Sequence, residues 1–180
     1  ELPAGQFALF MNSMYAVDAY VRDYFRKAAL DALLAEKLPV TVFGEGWEKY
    51  SCGDEHSLRR EPAVPFALSF ERIAKAHVLL NVSPIFNRGM HDRVPAGMAN
   101  HAVVLTDENP YLRRTFTDGK ELLFYSLEKP DTLCEQAERT LTDVRLREKI
   151  AASAYETFER EYTWKRRAEQ ILAFAEEVEA

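Results

Sequence analysis

Two apolar runs of strand length, His77-Val78-Leu79-Leu80-Asn81-Val82 and Ala102-Val103-Val104-Leu105-Thr106, flank a polar, glycine-containing stretch near the middle of the chain. Neither run has helical spacing, and continuous apolar runs of this length predict strands buried on both faces, as in a parallel sheet. Between them lies a loop with Pro84, Asn87, Arg88 and Gly89, then a segment from about Met90 to Asn100. Met90, Val94 and Met98 recur there every four residues, which predicts a helix with one apolar face.

The same alternation extends outward. Phe7-Ala8-Leu9-Phe10-Met11 reads as a first strand, with Asn12 or Ser13 capping a helix from about Met14 to Glu36. Val17, Tyr20, Val21, Tyr24, Phe25 and Ala28 stripe that helix. Asp18 with Arg22, and Asp23 with Lys27, are opposite charges four apart on its solvated side. Pro39–Phe43 is the next strand, and residues 48–61, rich in charge, read as an exposed connection. Pro62–Ala67 predicts a further strand, Ser69–Ala76 a short helix, Asn109-Pro110 a turn into a short helix, and Glu121–Tyr125 the last strand. From Pro130 onward the pattern predicts only helices, striped by Leu133, Ala137 and Leu141, then Leu146, Ile150, Ala154 and Phe158, then Trp164, Ala168, Ile171 and Phe174. The expected fold is α/β: a Rossmann-like parallel sheet flanked by helices over residues 1–128, with a helical carboxyl-terminal segment over 129–180, forming one domain.

Composition narrows the partners. With 47% hydrophobic, 29% charged and 12% aromatic residues the chain is an ordinary globular sequence. A net charge of -6 argues against non-specific nucleic-acid binding, which needs a basic surface to displace counterions. Cys52 and Cys134 lie far apart without metal-ligand spacing and read as reduced thiols, which favours the cytoplasm. No stretch approaches the roughly 18 consecutive apolar residues that span a bilayer, so no transmembrane segment is expected. The first residue is Glu1, which suggests that the chain is cut from something longer.

In open α/β sheets ligands bind beyond the carboxyl ends of the strands, where loops meet helix starts. Ser83, Arg88, His91, Asp92 and Arg93 all fall at that edge, with helix-start amides near Gly89 and Met90 suited to an anion such as phosphate. Gly44 and Gly46, after the Pro39–Phe43 strand, either contact a ligand or form a tight turn; Lys49 breaks the dinucleotide-binding fingerprint. No Asp-x-Asp or His/Asp/Glu metal cluster is present, so no metal and no other cofactor is expected.

Several of these stretches carry a resemblance. Leu80-Asn81-Val82 through Asp107, the His91-Asp92-Arg93-Val94 cluster, Val104-Leu105-Thr106-Asp107, Asp118-Gly119-Lys120-Glu121 with Tyr125, and Tyr162-Thr163-Trp164 with Arg167 resemble, in order and spacing, the carboxyl half of bacterial glycosyltransferases of the spore maturation protein type. The similarity runs over about residues 40 to 175 and implies one half of a GT-B fold, in which two Rossmann-like domains face each other across a cleft. It implies a hexosyltransferase-type activity whose donor is a nucleotide diphosphate sugar, a missing amino-terminal acceptor domain, and an isolated half that is inactive. Arg88 and Arg93 would neutralise the diphosphate, Ser83, Gly89, Thr106, Asp107 and Asn109 would line the donor seat with Gly44 and Gly46, and Phe66, Ala67 and Leu68 would lie near the base; otherwise Arg93 forms an ion pair with Asp92 or Asp107, Asp107 caps the turn into Pro110, and residues 66–68 pack in the core. In many retaining members two glutamates stand eight positions apart; in that register this chain has Arg88 and Ala96. His91 and Asp92 are then the candidates for proton transfer, or else a helix cap and its neighbour. The alternative reading is a non-catalytic nucleotide-binding or interaction module that kept the fold and lost the glutamates.

Overall fold

The computed structural model describes residues 3–179. Five short parallel strands and seven α-helices follow in the order α1 (Ala4–Ala35), β1 (Val40–Phe43), β2 (Leu58–Glu61), α2 (Phe66–Ile73), β3 (Val78–Asn81), α3 (Arg93–Ala99), β4 (Val103–Asp107), α4 (Pro110–Thr115), β5 (Leu123–Tyr125), α5 (Pro130–Thr142), α6 (Val144–Glu161) and α7 (Trp164–Glu179). β3, β4 and β5 form one ladder in that order, and β1 pairs with β2 in a second. All three pairings are parallel.

Every residue of β4 is buried, and its side chains divide by the strand's two-residue period. Val103 and Leu105 face a cluster with Leu123 and Tyr125 of β5, Ala29 and Leu33 of α1, and Leu133 and Ala137 of α5. Val104 faces the other way, onto Val94 and Met98 of α3, Leu112 of α4, Phe124 and Ala154 of α6. Helices therefore cover both faces of the central ladder, which is why β4 reads as an unbroken apolar run. Val40 of β1 joins Val78 and Leu80 of β3 against the first cluster, so the β1–β2 pair shares that core.

Two expectations are corrected. Phe7–Met11 is helix rather than a first strand, because α1 begins after Pro3 and runs without interruption to Ala35. Asn12 and Ser13 start nothing: the Ser13 hydroxyl donates to the Phe10 carbonyl at 2.7 Å within the helix. Ala8, Leu9 and Met11 favour helix, and among the described residues no strand pairs with this stretch. The second correction concerns residues 48–67. The strand lies at Leu58–Glu61, inside the charged connection, whereas residues 62–65 are a loop and Phe66 and Ala67 already open α2. Pro62 and Pro65 have no N–H for a ladder, and Pro65, at φ -52, precedes the first turn of α2. The charge that hid β2 is used locally. Arg60 donates to the carbonyls of Trp47 at 3.0 Å and Tyr50 at 2.9 Å and pairs with Glu55 at 2.5 Å.

What fixes α3 over the sheet is Gly97. A methyl group there would lie 2.5 Å from Val104 Cγ2 and 3.0 Å from Leu79 Cδ2, so helix and strands approach as closely as a bare Cα allows. Gly97→Ala should therefore lower the unfolding free energy by about 1–3 kcal/mol through overpacking. Chemical denaturation compared with wild type measures this, and an unchanged midpoint would contradict the close approach.

Candidate functional site

The carboxyl ends of β3, β4 and β5 are locked together by buried polar side chains. Asn81 Nδ2 donates to Thr106 Oγ1 at 2.9 Å, and Ser83 Oγ donates to Asn81 Oδ1 at 3.2 Å. The Ser83 backbone N–H donates to Asp107 Oδ1 at 2.7 Å, and Tyr125 donates from its hydroxyl to the Asn81 carbonyl at 3.1 Å. Thr106 is fully buried, Asp107 is 3% exposed and Ser83 8%. These three thus form the floor of the edge, with their polar atoms largely spent on one another.

Above that floor the loop 84–90 is held by Asn109. Its Nδ2 donates to the Phe86 carbonyl at 2.6 Å and the Gly89 carbonyl at 3.3 Å, while its Oδ1 caps α4 by accepting from Leu112 N at 2.8 Å. Asn109 positions the loop on which Arg88 stands. Arg88 is exposed and, among the described residues, has no ion-pair partner. Gly89 has no left-handed backbone, so nothing in the turn demands glycine there. Gly44 and Gly46 do, at φ 126 and φ 89, where they turn the chain out of β1 into a short 3-10 turn at Trp47–Lys49.

Arg93 is the first residue of α3 and is half-buried. Its Nη2 lies 3.2 Å from His91 Nε2. A guanidinium only donates, so Nε2 must accept, which leaves the imidazole proton on Nδ1, facing the Asp92 carboxylate beside it. The same Nδ1 lies 3.2 Å from the Arg93 backbone N–H, a contact that needs the other tautomer; the bond from the guanidinium is the stronger, and we assign the proton accordingly. Burial, then the Arg93 charge, push the His91 imidazole below its usual range against the pull of Asp92, so it is neutral at neutral pH. His91 thus links Asp92 to Arg93 and orients the guanidinium. Phe86 packs its ring against His91 at 5.9 Å.

Arg26 of α1 adds a charge that the sequence reading missed, because it looked like one more residue of a solvated helix face. It raises the positive potential at both His91 and Arg93. Burial lowers the Arg93 guanidinium from its ordinary value, Arg26 lowers it further, and Asp92, Asp107 and Tyr125 oppose this. Arg93 remains charged at any physiological pH. Neither Asp92 nor Asp107 forms a salt bridge with it among the described residues. Burial pushes the Asp107 carboxyl up to about 6, offset in part by the Ser83 N–H and by Arg93. The edge is therefore a cationic rim over a neutralisable acid. Phe66 is exposed at the start of α2, and Ala67 and Leu68 follow it. Among the described residues no three His, Cys, Asp or Glu side chains gather to hold a metal ion. No helix among them is long and apolar enough to cross a membrane.

Comparison with known proteins gives this rim its context. The glycosyl transferase-like family model matches residues 22–173, and the chain belongs to that family. No curated protein matches it by sequence. Among solved structures the chain is similar to Anabaena Alr3699/HepE in complex with UDP-glucose, with a TM-score of 0.67 and 12% identity over 86% of this chain and 44% of that one. TarM gives 0.64 and 12% over 83% of this chain and 31% of that one. The C-terminal domain of the glycosyl transferase group 1 family protein LpcC from Francisella tularensis gives 0.59 and 12% over 80% of each. The α/β fold with parallel strands between helices is thus similar to the GT-B glycosyltransferase fold, and the chain spans less than half the length of HepE.

Asp107 carries a testable sign. Its folded-state value of about 6 lies above the roughly 3.9 of an unfolded aspartate, so the native state binds the proton more tightly. That stabilisation is full below about pH 4 and is lost as pH rises to about 6. Asp107→Asn, which keeps an acceptor for Ser83 N–H, should remove this component. The difference in melting temperature between wild type and variant should change steadily between about pH 4 and 6, to the disadvantage of wild type at the upper end. A pH-independent difference would contradict the burial assigned to this carboxyl.

Proposed function

We propose that this chain is the donor-binding half of a glycosyltransferase of the spore maturation protein type, holding a nucleotide diphosphate sugar against the rim formed by Arg88, Arg93 and the start of α3. The observation that carries the reading is the half-buried, unpaired guanidinium of Arg93 at the carboxyl edge of the sheet, in a chain of this family. A positive charge held partly out of water without an ionic partner is a costly arrangement that an anionic ligand relieves. HepE, a neighbour in fold, was solved with UDP-glucose and with UDP, which supports a nucleotide-sugar ligand.

In this reading the diphosphate gains negative charge as the sugar departs, and Arg88 and Arg93 stabilise that charge without a metal ion. His91 and Asp92 hold Arg93 in place. Before His91 could take a proton from an acceptor, the bond between its Nε2 and the guanidinium would have to break. Ser83, Thr106, Asp107 and Asn109 set the height and rigidity of the seat, and Gly44 and Gly46 border it. The transfer is of a hexosyl group, in the cytoplasm, and needs a second, amino-terminal domain for the acceptor.

Exposed apolar surface supports that last point. Leu9, Phe10, Tyr15, Val17 and Tyr20 of α1 and Trp164, Ile171 and Phe174 of α7 are all more than half exposed. Arg26 stands beside the rim, so the part of α1 that precedes it extends past the sheet edge by about 1.5 Å per residue. An uncovered apolar arm at the mouth of a half-cleft suits burial by a facing domain. A second reading, nucleotide binding without transfer, is favoured by Arg88 and Ala96 standing where retaining relatives carry glutamates.

UDP or UDP-glucose should raise the melting temperature of the protein, and Arg93→Ala should weaken binding by about ten- to a hundredfold, the loss of one charge-assisted contact to phosphate. Isothermal titration calorimetry reads both. Equal affinity in the variant would overturn the assignment of the seat. Binding without sugar transfer, once an amino-terminal domain is supplied, would favour the second reading.

A further inference from the structure

At the opposite end of the sheet, where β3 and β4 begin, lies a cavity of about 310 Å³ that the donor reading does not use. It is lined by the small side chains of Ala74, Ala76, Ala151 and Ala152 and by Lys75, His77, His101, Arg147 and Glu148. Small residues leave the room; the polar residues supply donors. We propose that this hollow is a second, separate site for a tetrahedral phosphate-class oxyanion, either inorganic phosphate or a phosphate monoester.

Three observations converge on it. First, neither Lys75 nor Arg147 has a carboxylate partner within ion-pair distance among the described residues, in a chain whose net charge is -6. Arg147 is already oriented, since its Nη1 donates to the carbonyls of Thr140 at 3.2 Å and Leu141 at 3.3 Å at the end of α5. That leaves Nε and Nη2 as donors in a fixed plane. Second, His101 has a left-handed backbone, φ 56, at the turn that ends α3. Glycine adopts this conformation without cost, so the turn alone does not call for an imidazole. The ring is nonetheless held in place by stacking on Tyr155 at 4.2 Å between centroids and 23° between planes. Strain of this kind is retained where the side chain has a use.

Third, the lining contains one carboxylate, Glu148, with no ion-pair partner among the described residues. A bare acceptor opposes a fully ionised oxyanion but accepts a hydrogen bond from one that keeps a P–OH. Lysine, arginine and the two imidazoles then serve the charged oxygens while Glu148 selects for the hydroxyl. The site should accordingly favour protonated phosphate over sulfate, which has no proton to offer at neutral pH.

The test is an amide nuclear magnetic resonance titration of the whole chain with inorganic phosphate and, separately, with sulfate. Saturable shifts are expected at His77, His101 and Arg147, with sulfate several-fold weaker, and Glu148→Gln should erase that preference. His101→Gly relieves the backbone and so should fold at least as well, yet should weaken phosphate binding by about tenfold, one charge-assisted hydrogen bond. An Arg88→Ala, Arg93→Ala double variant should leave these shifts intact, which separates this hollow from the donor rim. Shifts confined to the rim, an equal response to sulfate, or affinity unaltered in both His101→Gly and Lys75→Ala would overturn the proposal.

Discussion

The bond from the Ser83 backbone N–H to Asp107 Oδ1 joins the ends of two neighbouring strands at the point where each gives way to a loop. With the Asn81–Thr106 side-chain bond beneath it and the Tyr125 hydroxyl across from it, all three central strands end at one level. Buried polar groups must be paired, so this arrangement admits few alternatives once the strands are in register. The site depends on it because the loop carrying Arg88 leaves from one side of this lock and α4, capped by Asn109, leaves from the other.

Electrostatics at the rim follow from that rigidity. Arg93 is placed over the strand ends by α3, which Gly97 lets settle against Val104 and Leu79. Its guanidinium is partly buried, and Asp107, a buried acid at the strand end that also acts on it, is kept weakly acidic by burial. The neutral His91 gives direction to the guanidinium without cancelling its charge. A cation so held attracts an anion more strongly than the same side chain on a free loop, because little reorganisation is needed when the anion arrives.

Beside the open rim the apolar arm of α1 is uncovered. The part of α1 before Arg26 contributes little to the core, whereas Ala29, Leu30, Leu33 and Leu34 are buried. One helix thus serves two environments along its length, the sheet at its carboxyl end and an uncovered surface at its amino end. HepE and TarM are longer chains, of which this one covers 44% and 31%.

Much of this was legible in the sequence. The apolar runs of β3 and β4 and the helical stripes of the last three helices were visible because burial on two faces, or along one stripe, leaves a period that no other constraint disturbs. Candidate residues at the strand ends followed from the same pattern, and the structure brings Ser83, His91, Arg93, Asp107 and Asn109 to one edge while leaving Arg88 exposed above it. Two elements were misread for physical reasons. Phe7–Met11 is apolar without being buried, so an apolar run of strand length outweighed its helix-favouring residues; Leu58–Glu61 is a strand whose Arg60 is satisfied by Glu55 and two carbonyls, which only a fold can supply. By itself the sequence determined the layers and, from β3 onward, the order of the elements, since these depend on local periodicity. The tertiary structure alone decided that Arg26 stands beside Arg93, that His91 turns its Nε2 toward a guanidinium, and that Asp107 is buried, because such relations join residues whose distance along the chain says nothing of their distance in space.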